Sequence, residues 1–158
     1  MSASRWGGYL VETKTLLRSH VERALQEHWG RKDLAVDCDG DYPFRAGQAM
    51  CWVSIESEPP AVRVFAHAAR GIKRSAKVLA EVNELSASAR WAKVFWHDDI
   101  VFVSRALDLE GADSASIRLA CDTVAAVAEE IAPMLAMVFG GSTPFPPEVE
   151  HADDDHST

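Results

Sequence analysis

The sequence predicts an α+β domain in which helices pack on an antiparallel β-sheet, in the order α-β-β-β-β-α-β-β-α. Three observations lead there. The apolar period switches from helical to alternating and back along the chain. Neighbouring strand-like runs are joined by short turns, which favours antiparallel pairing over a doubly wound parallel sheet. The length, 158 residues, suits one domain with its own core.

The first helix is expected from about Trp6 or Leu10 to Trp29, with Leu10, Leu17, Val21, Ala24, Leu25 and His28 on one stripe. Gly30 is suited to end it. Arg18–Glu22 and Arg23–Glu27 are spaced as exposed ion pairs, each worth roughly a few tenths of a kcal/mol. Leu34, Val36 and Cys38 then alternate with Ala35, Asp37 and Asp39, reading as a first strand, with Asp39-Gly40 as a hairpin turn. Tyr42 to Arg45 reads as the return strand and Met50 to Ile55 as the third, ended by Pro59 and Pro60. The fourth runs from Val62 to Ala68, with Val62, Val64 and Ala66 on one face and Arg63, Phe65 and His67 on the other.

After the Arg70-Gly71 turn a second helix is expected from about Ile72 to Ser88, with Val78, Val82, Leu85 and Ala89 as its buried edge. Trp91 to Trp96 and Ile100 to Arg105 read as a hairpin across His97, Asp98 and Asp99. The last helix is expected from Ser114 to Gly140-Gly141, on a stripe of Ile117, Cys121, Val124, Ala128, Ile131, Leu135 and Val138. Pro133 is expected to bend or break it. The domain is therefore expected over 6–140, with a Pro-rich, acidic and disordered tail over 141–158.

Composition limits the partners. The apolar and charged fractions, 47 % and 25 %, are those of an ordinary globular protein. Of the net charge of −8, five carboxylates (Glu148, Glu150, Asp153, Asp154 and Asp155) fall in the last eleven residues, leaving −3 for the rest. Neither part supplies the positive field that replaces phosphate counterions, so no nucleic-acid partner is expected. The most apolar stretch, Ala125 to Phe139, contains Glu129, Glu130 and Pro133 and falls short of the roughly 20 residues of a membrane span. No membrane partner and no signal peptide are expected. The cysteines, Cys38, Cys51 and Cys121, are odd in number and far apart, compatible with a reducing cytoplasm and a role as small buried hydrophobes.

No polar cluster carries chemistry. Asp37, Asp39 and Asp41 are spaced like calcium ligands, but Gly40 comes fourth where that loop needs glycine sixth, and Gln48 stands where a bidentate Glu belongs. His97, Asp98 and Asp99 lack a nearby nucleophile and read as a solvated turn. His151 and His156 lie on the acidic tail, where fixing a metal would first require ordering the chain. Gly7-Gly8 and Gly140-Gly141 adjoin no phosphate-cradling pattern. No catalytic, metal or cofactor site is expected.

The aromatic residues point elsewhere. Trp91, Phe95, Trp96 and Phe102 crowd the last hairpin, while Trp52 and Phe65 lie in earlier strands. Alternation puts Trp91 and Phe95 on one face and Trp96 on the other. If helices cover only one face, large rings remain for a partner. Trp52, Phe65, Trp91, Phe95 and Phe102 are therefore the candidate partner-binding residues, for a protein or peptide segment. Two alternatives stand beside this: a structural or regulatory homodimer that buries the rings, and a small hydrolase built on His97 or His67 with a carboxylate.

The run Val78-Leu79-Ala80-Glu81-Val82-Asn83-Glu84-Leu85, followed by Arg90-Trp91-Ala92-Lys93-Val94 and the Ile100 strand, resembles the YbjN family. That family sits with type III secretion chaperones in a chaperone-like superfamily with an actinobacterial branch, which the Ala-, Val- and Arg-rich usage suits. The resemblance takes in the Asp39-Gly40-Asp41 turn and covers about residues 6–140. Its middle helix carries an Asn, often with a second three residues later. Asn83 matches the first and Ser86 departs from the second. The resemblance implies a secretion-chaperone-like fold, frequent dimerisation, and binding of peptide or partner-protein segments, with no catalytic residues to carry over. Asn83 is expected to act structurally, satisfying backbone groups where its helix meets the strands.

Overall fold

The computed structural model describes residues 3–148, with side chains from residue 12 onward. Its elements are α1 (Ala3–Trp29), β1 (Tyr42–Ala46), β2 (Ala49–Ser57), β3 (Pro60–Arg70), α2 (Ala76–Ser88), β4 (Lys93–His97), β5 (Ile100–Asp108) and α3 (Ser114–Phe139). The strands form one antiparallel sheet in the order β1-β2-β3-β5-β4. The α+β class with helices packed on an antiparallel sheet is as the sequence predicts.

Strand alternation decides where the core lies. Ala49, Cys51, Val53 and Ile55 of β2 are buried, as are Val62, Val64, Ala66 and Ala68 of β3 and Val101, Val103 and Leu107 of β5. Their stripe faces α3, which presents Ile117, Cys121, Val124, Ala128, Ile131 and Leu135. Leu17, Val21, Ala24 and Leu25 of α1 complete the layer. Both long helices thus cover the same side of the sheet, burying apolar area at roughly 25 cal/mol per Å². The Leu10 side chain of the expected α1 stripe lies outside the described residues, and Val138 is exposed.

Several expectations need correction. The strand at Leu34 to Cys38 does not form. Asp37 Oδ1 instead accepts the amides of Asp39 and Asp41, at 3.0 and 2.9 Å, which closes the chain into a side-chain-stabilised turn. The order is therefore α-β-β-β-α-β-β-α. α2 starts at Ala76, where the Ser75 hydroxyl accepts the Val78 amide at 3.1 Å. α3 runs through Pro133 without a break, ending at Gly140, whose left-handed backbone (φ 72°) disfavours any side chain. Cys38 is exposed, whereas Cys51 and Cys121 are buried, each thiol pushed up to about 12 by burial.

Residues just past α3, expected within the tail, are bonded to the sheet. Ser142 pairs with Arg70 through both amides, at 2.8 and 2.9 Å, and Phe145 donates to the Gln48 carbonyl at 3.0 Å. Gly141 allows this approach, because a Cβ there would run into the Arg70 carbonyl and the Ile72 side chain. Residues 149–158, including His151 and His156, lie outside the described residues.

Arg18 and Glu22, expected as a plain surface pair, meet at Tyr42. The buried phenol donates to Glu22 Oε1 at 2.6 Å and accepts from Arg18 Nη1 at 2.8 Å. Arg18 also reaches the Gly40 carbonyl, at 3.2 Å. Burial, and then the bond to Glu22, push the phenol up to about 12. Tyr42→Phe leaves both charged partners short of a bond and is expected to cost about 1–2 kcal/mol. A lower urea midpoint with an unchanged m-value would show it; an unchanged midpoint would refute it.

Candidate binding face

The side of the sheet turned away from α1 and α3 is set out by strand register. One row across the strands reads Arg45, Met50, His67, Phe102 and Phe95; the next reads Pro43, Trp52, Phe65, Ser104 and Lys93. These positions alternate with core positions, so the strand period that fills the interior also assembles this face.

The rings touch in sequence from β2 to β4. Trp52 stacks on Phe65 with centroids 5.2 Å apart, and it meets His67 at a steep interplanar angle with centroids 4.7 Å apart. His67 and Phe102 form a T-shaped pair at 4.8 Å, and Phe102 stacks on Phe95 at 5.0 Å and 7°. Such pairs contribute about 0.5–1.5 kcal/mol each beyond the area they bury. Cations flank the rings: the Arg63 guanidinium lies 4.5 Å from the Phe65 centroid and Lys93 Nζ 5.2 Å from that of Phe95. Arg63 Nε also lies 2.9 Å from Glu56 Oε1, an exposed pair of little energetic weight.

His67 is held neutral at the centre. Arg70 donates to its Nδ1 from Nε at 3.2 Å, with Nη2 at 3.1 Å, which leaves the ring proton on Nε2. Burial first, and then the Arg70 charge, push the imidazole down to about 4. A register shift between His67 and Ala69 makes this contact possible. In a regular strand, residues three apart face opposite sides; the bulge returns Arg70 to the side of His67.

Of the residues singled out in the sequence, Trp52, Phe65, Phe95 and Phe102 come together here. Trp91 does not. It precedes β4, is 66 % exposed, and lies over the Arg105 guanidinium on the helix side, beside Leu85, Val127 and Ile131. Its expected place on the face of Phe95 fails because β4 begins only at Lys93, so alternation does not extend back to it. Trp96 points to the helix side, and its Nε1 donates to the Ile72 carbonyl at 2.8 Å. Asn83 is exposed on α2; the polar group linking that helix to the strands is Ser86, whose Oγ accepts the Val94 amide at 3.1 Å. Met50, Arg45 and Lys93 were missed, being unremarkable as single residues and distinguished only by register.

The hydrolase arrangement finds no geometry. His67 meets Arg70 in place of a carboxylate, and His97 is exposed at a turn whose Asp98 and Asp99 take left-handed backbone angles. His28 does meet a carboxylate, Asp122 at 2.8 Å, but this contact ties α1 to α3. The neighbouring Cys121 thiol is pushed up, the reverse of an activated nucleophile. Among the described residues no three His, Cys, Asp or Glu side chains are grouped to hold a metal ion, and no helix is long and apolar enough to cross a membrane.

Because folding depresses the His67 pKa, the unfolded chain binds more protons between about pH 6.5 and pH 4. The stability linked to neutral His67 is full above that window and is lost as the pH falls through it. Urea unfolding across this range is expected to show a shallower pH dependence for His67→Phe than for the parent chain. A ring titration midpoint at or above 6.5 would contradict the assignment.

A family model described as "TY-Chap1: T3SS (YopN, CesT) and YbjN peptide-binding chaperone 1" matches residues 15–147. No curated protein matches the chain. Among solved structures the chain is similar to one in the HopA1–SchA chaperone–effector complex, at 5 % identity and TM-score 0.60, covering 75 % of this chain and 94 % of that one. It is similar to one in the ExsC–ExsE complex at 13 % identity and TM-score 0.58, covering 78 % and 95 %. It also resembles YbjN from E. coli at 14 % identity and TM-score 0.50, covering 71 % and 89 %. At these identities the likeness to the solved structures is one of fold.

Proposed function

The chain belongs to the TY-Chap1 family of type III secretion and YbjN peptide-binding chaperones, and on that premise we propose that its outer sheet face receives an extended segment of a partner protein. The role is chaperone-like and non-enzymatic. The observation that carries the reading is the unbroken contact of Trp52, Phe65, His67, Phe102 and Phe95 across four strands, on the side without helices.

The chemistry suits an unfolded segment. Rings offer broad apolar area with little conformational entropy to lose, and Met50 beside them adapts its shape to what it meets. Arg63 and Lys93 sit at the margins, where they would orient a carboxylate or backbone carbonyls of the bound segment. A flat aromatic surface sets no strict sequence requirement, as a chaperone needs.

The test is selection of unstructured twelve-residue peptides on the full chain, with affinities then measured on variants. Phe65→Ser and Phe95→Ser are expected to weaken the selected peptides about tenfold or more, with near-UV circular dichroism retained. Trp91→Ala is expected to leave the affinity within about twofold. Peptides that ignore both phenylalanine variants but are lost on Trp91→Ala would move the site to the helix side and overturn the proposal.

A further inference from the structure

Two polar atoms on the outer face are buried without a hydrogen-bond partner. Ser104 of β5 is 2 % exposed, and its Oγ bonds to nothing among the described residues. Strand parity aims it to the same side as Phe102. Arg63 Nε is the second; it lies 2.9 Å from Glu56 Oε1 but is not aligned to donate to it. Folded proteins leave few buried polar atoms in this condition, and each calls for a physical reason.

Register gathers both atoms around one ring. Phe65 is the cross-strand partner of Ser104, and the Arg63 guanidinium lies 4.5 Å from the Phe65 centroid. On the other flank Ser104 is opposite Lys93, whose Nζ lies 5.2 Å from the Phe95 centroid and forms no ion pair among the described residues. Ala106, the next outward residue of β5, stands opposite Arg63 and is exposed. Small residues on β5 thus run between longer side chains on β3 and β4, with a hydroxyl at the base and a cation on either side.

We propose that Ser104, with Arg63 and Lys93, selects an acidic side chain of the bound segment, whose carboxylate accepts from the Ser104 hydroxyl. The inference rests on the reading of this face as a peptide site, and it narrows one position of an otherwise tolerant surface.

A carboxylate suits these donors better than any other side chain. It offers acceptors only, so it can meet a hydroxyl, a guanidinium N–H and an ammonium together, whereas an amide would set its own NH2 against one of them. It also brings charge that the two cations lack, since Glu56 is badly aligned with Arg63 and Asp108 Oδ1 is taken up by the Gly111 amide, at 2.7 Å. Access is open to it. Lys93 is exposed and the Arg63 side chain is 38 % exposed, so both long chains can shift to uncover the hydroxyl and then close on the bound group.

Spacing adds a second requirement. A segment crossing the strands with its acid over β5 meets the Trp52–Phe65 pair one and a half strand spacings away, about 7 Å. Alternate residues of an extended chain recur at the same interval, so a large apolar side chain is expected two positions from the acid.

The test selects random twelve-residue peptides on the full chain and compares the best binders with versions whose acid is replaced by its amide. The selected peptides are expected to carry an acid and a large apolar residue two positions apart. Their amide versions are expected to bind about tenfold more weakly. On Ser104→Ala that gap is expected to shrink to about threefold or less. Because the hydroxyl has no partner in the free protein, the same variant is expected to keep or raise the urea midpoint. A lowered midpoint would make the hydroxyl structural and overturn the proposal. So would a gap that persists on Ser104→Ala, since the exposed cations alone would then read the charge. Peptides that are lost on Phe65→Ser but tolerate the amide would sink the acid selection and leave the peptide face standing. Peptides indifferent to Phe65→Ser would sink both.

Discussion

The strands present alternate residues to the helices, β2 and β3 to α1 and α3 and β4 to α2, and this one-sided cover shapes the rest of the molecule. Valines and alanines make up much of the helix side of β2, β3 and β5, where they pack against α1 and α3. The other parity carries Trp52, Phe65, Phe95 and Phe102. Four aromatic rings thus gather on the side that the helices leave open.

Polar chemistry then serves to keep the two sides distinct. Tyr42 fastens α1 to the first strand with a shared hydroxyl, fixing how far that helix overlaps the sheet. On the outer side burial, aided by the Arg70 charge, keeps His67 neutral, so the centre of the ring series carries no charge of its own. In both arrangements burial is the main reason the ring residue stays neutral, raising the pKa of Tyr42 and lowering that of His67, while an arginine bonded to the ring residue fixes its orientation.

Much of this was legible in the sequence, because alternation is a local signal. The parity of Phe65 with His67, and the adjacency of Phe95 to a hairpin partner, lead directly to the face. What stayed hidden depends on departures from strict period. Parity separates His67 from Arg70, and only the bulge reunites them. Parity likewise groups Trp91 with Phe95, yet the strand starts two residues after Trp91. The alternation at Leu34 to Cys38 was a false signal, since the Asp37 side chain and backbone fold the chain into a local turn with Asp39, Gly40 and Asp41. The role expected of Asn83 passed to Ser86 because three residues on a helix turn a side chain toward the strands, and only Ser86 faces Val94.

The division of β2 and β3 into two parities has an evolutionary consequence. Substitutions at Trp52 or Phe65 leave untouched the contacts of Val53 and Val64 with the helices. Partner preference can therefore drift while the scaffold is held constant, and the reverse is equally open. Lineages descended from such a sheet would diverge fastest at the outward positions and keep a recognisable interior, a pattern under which folds outlast detectable identity.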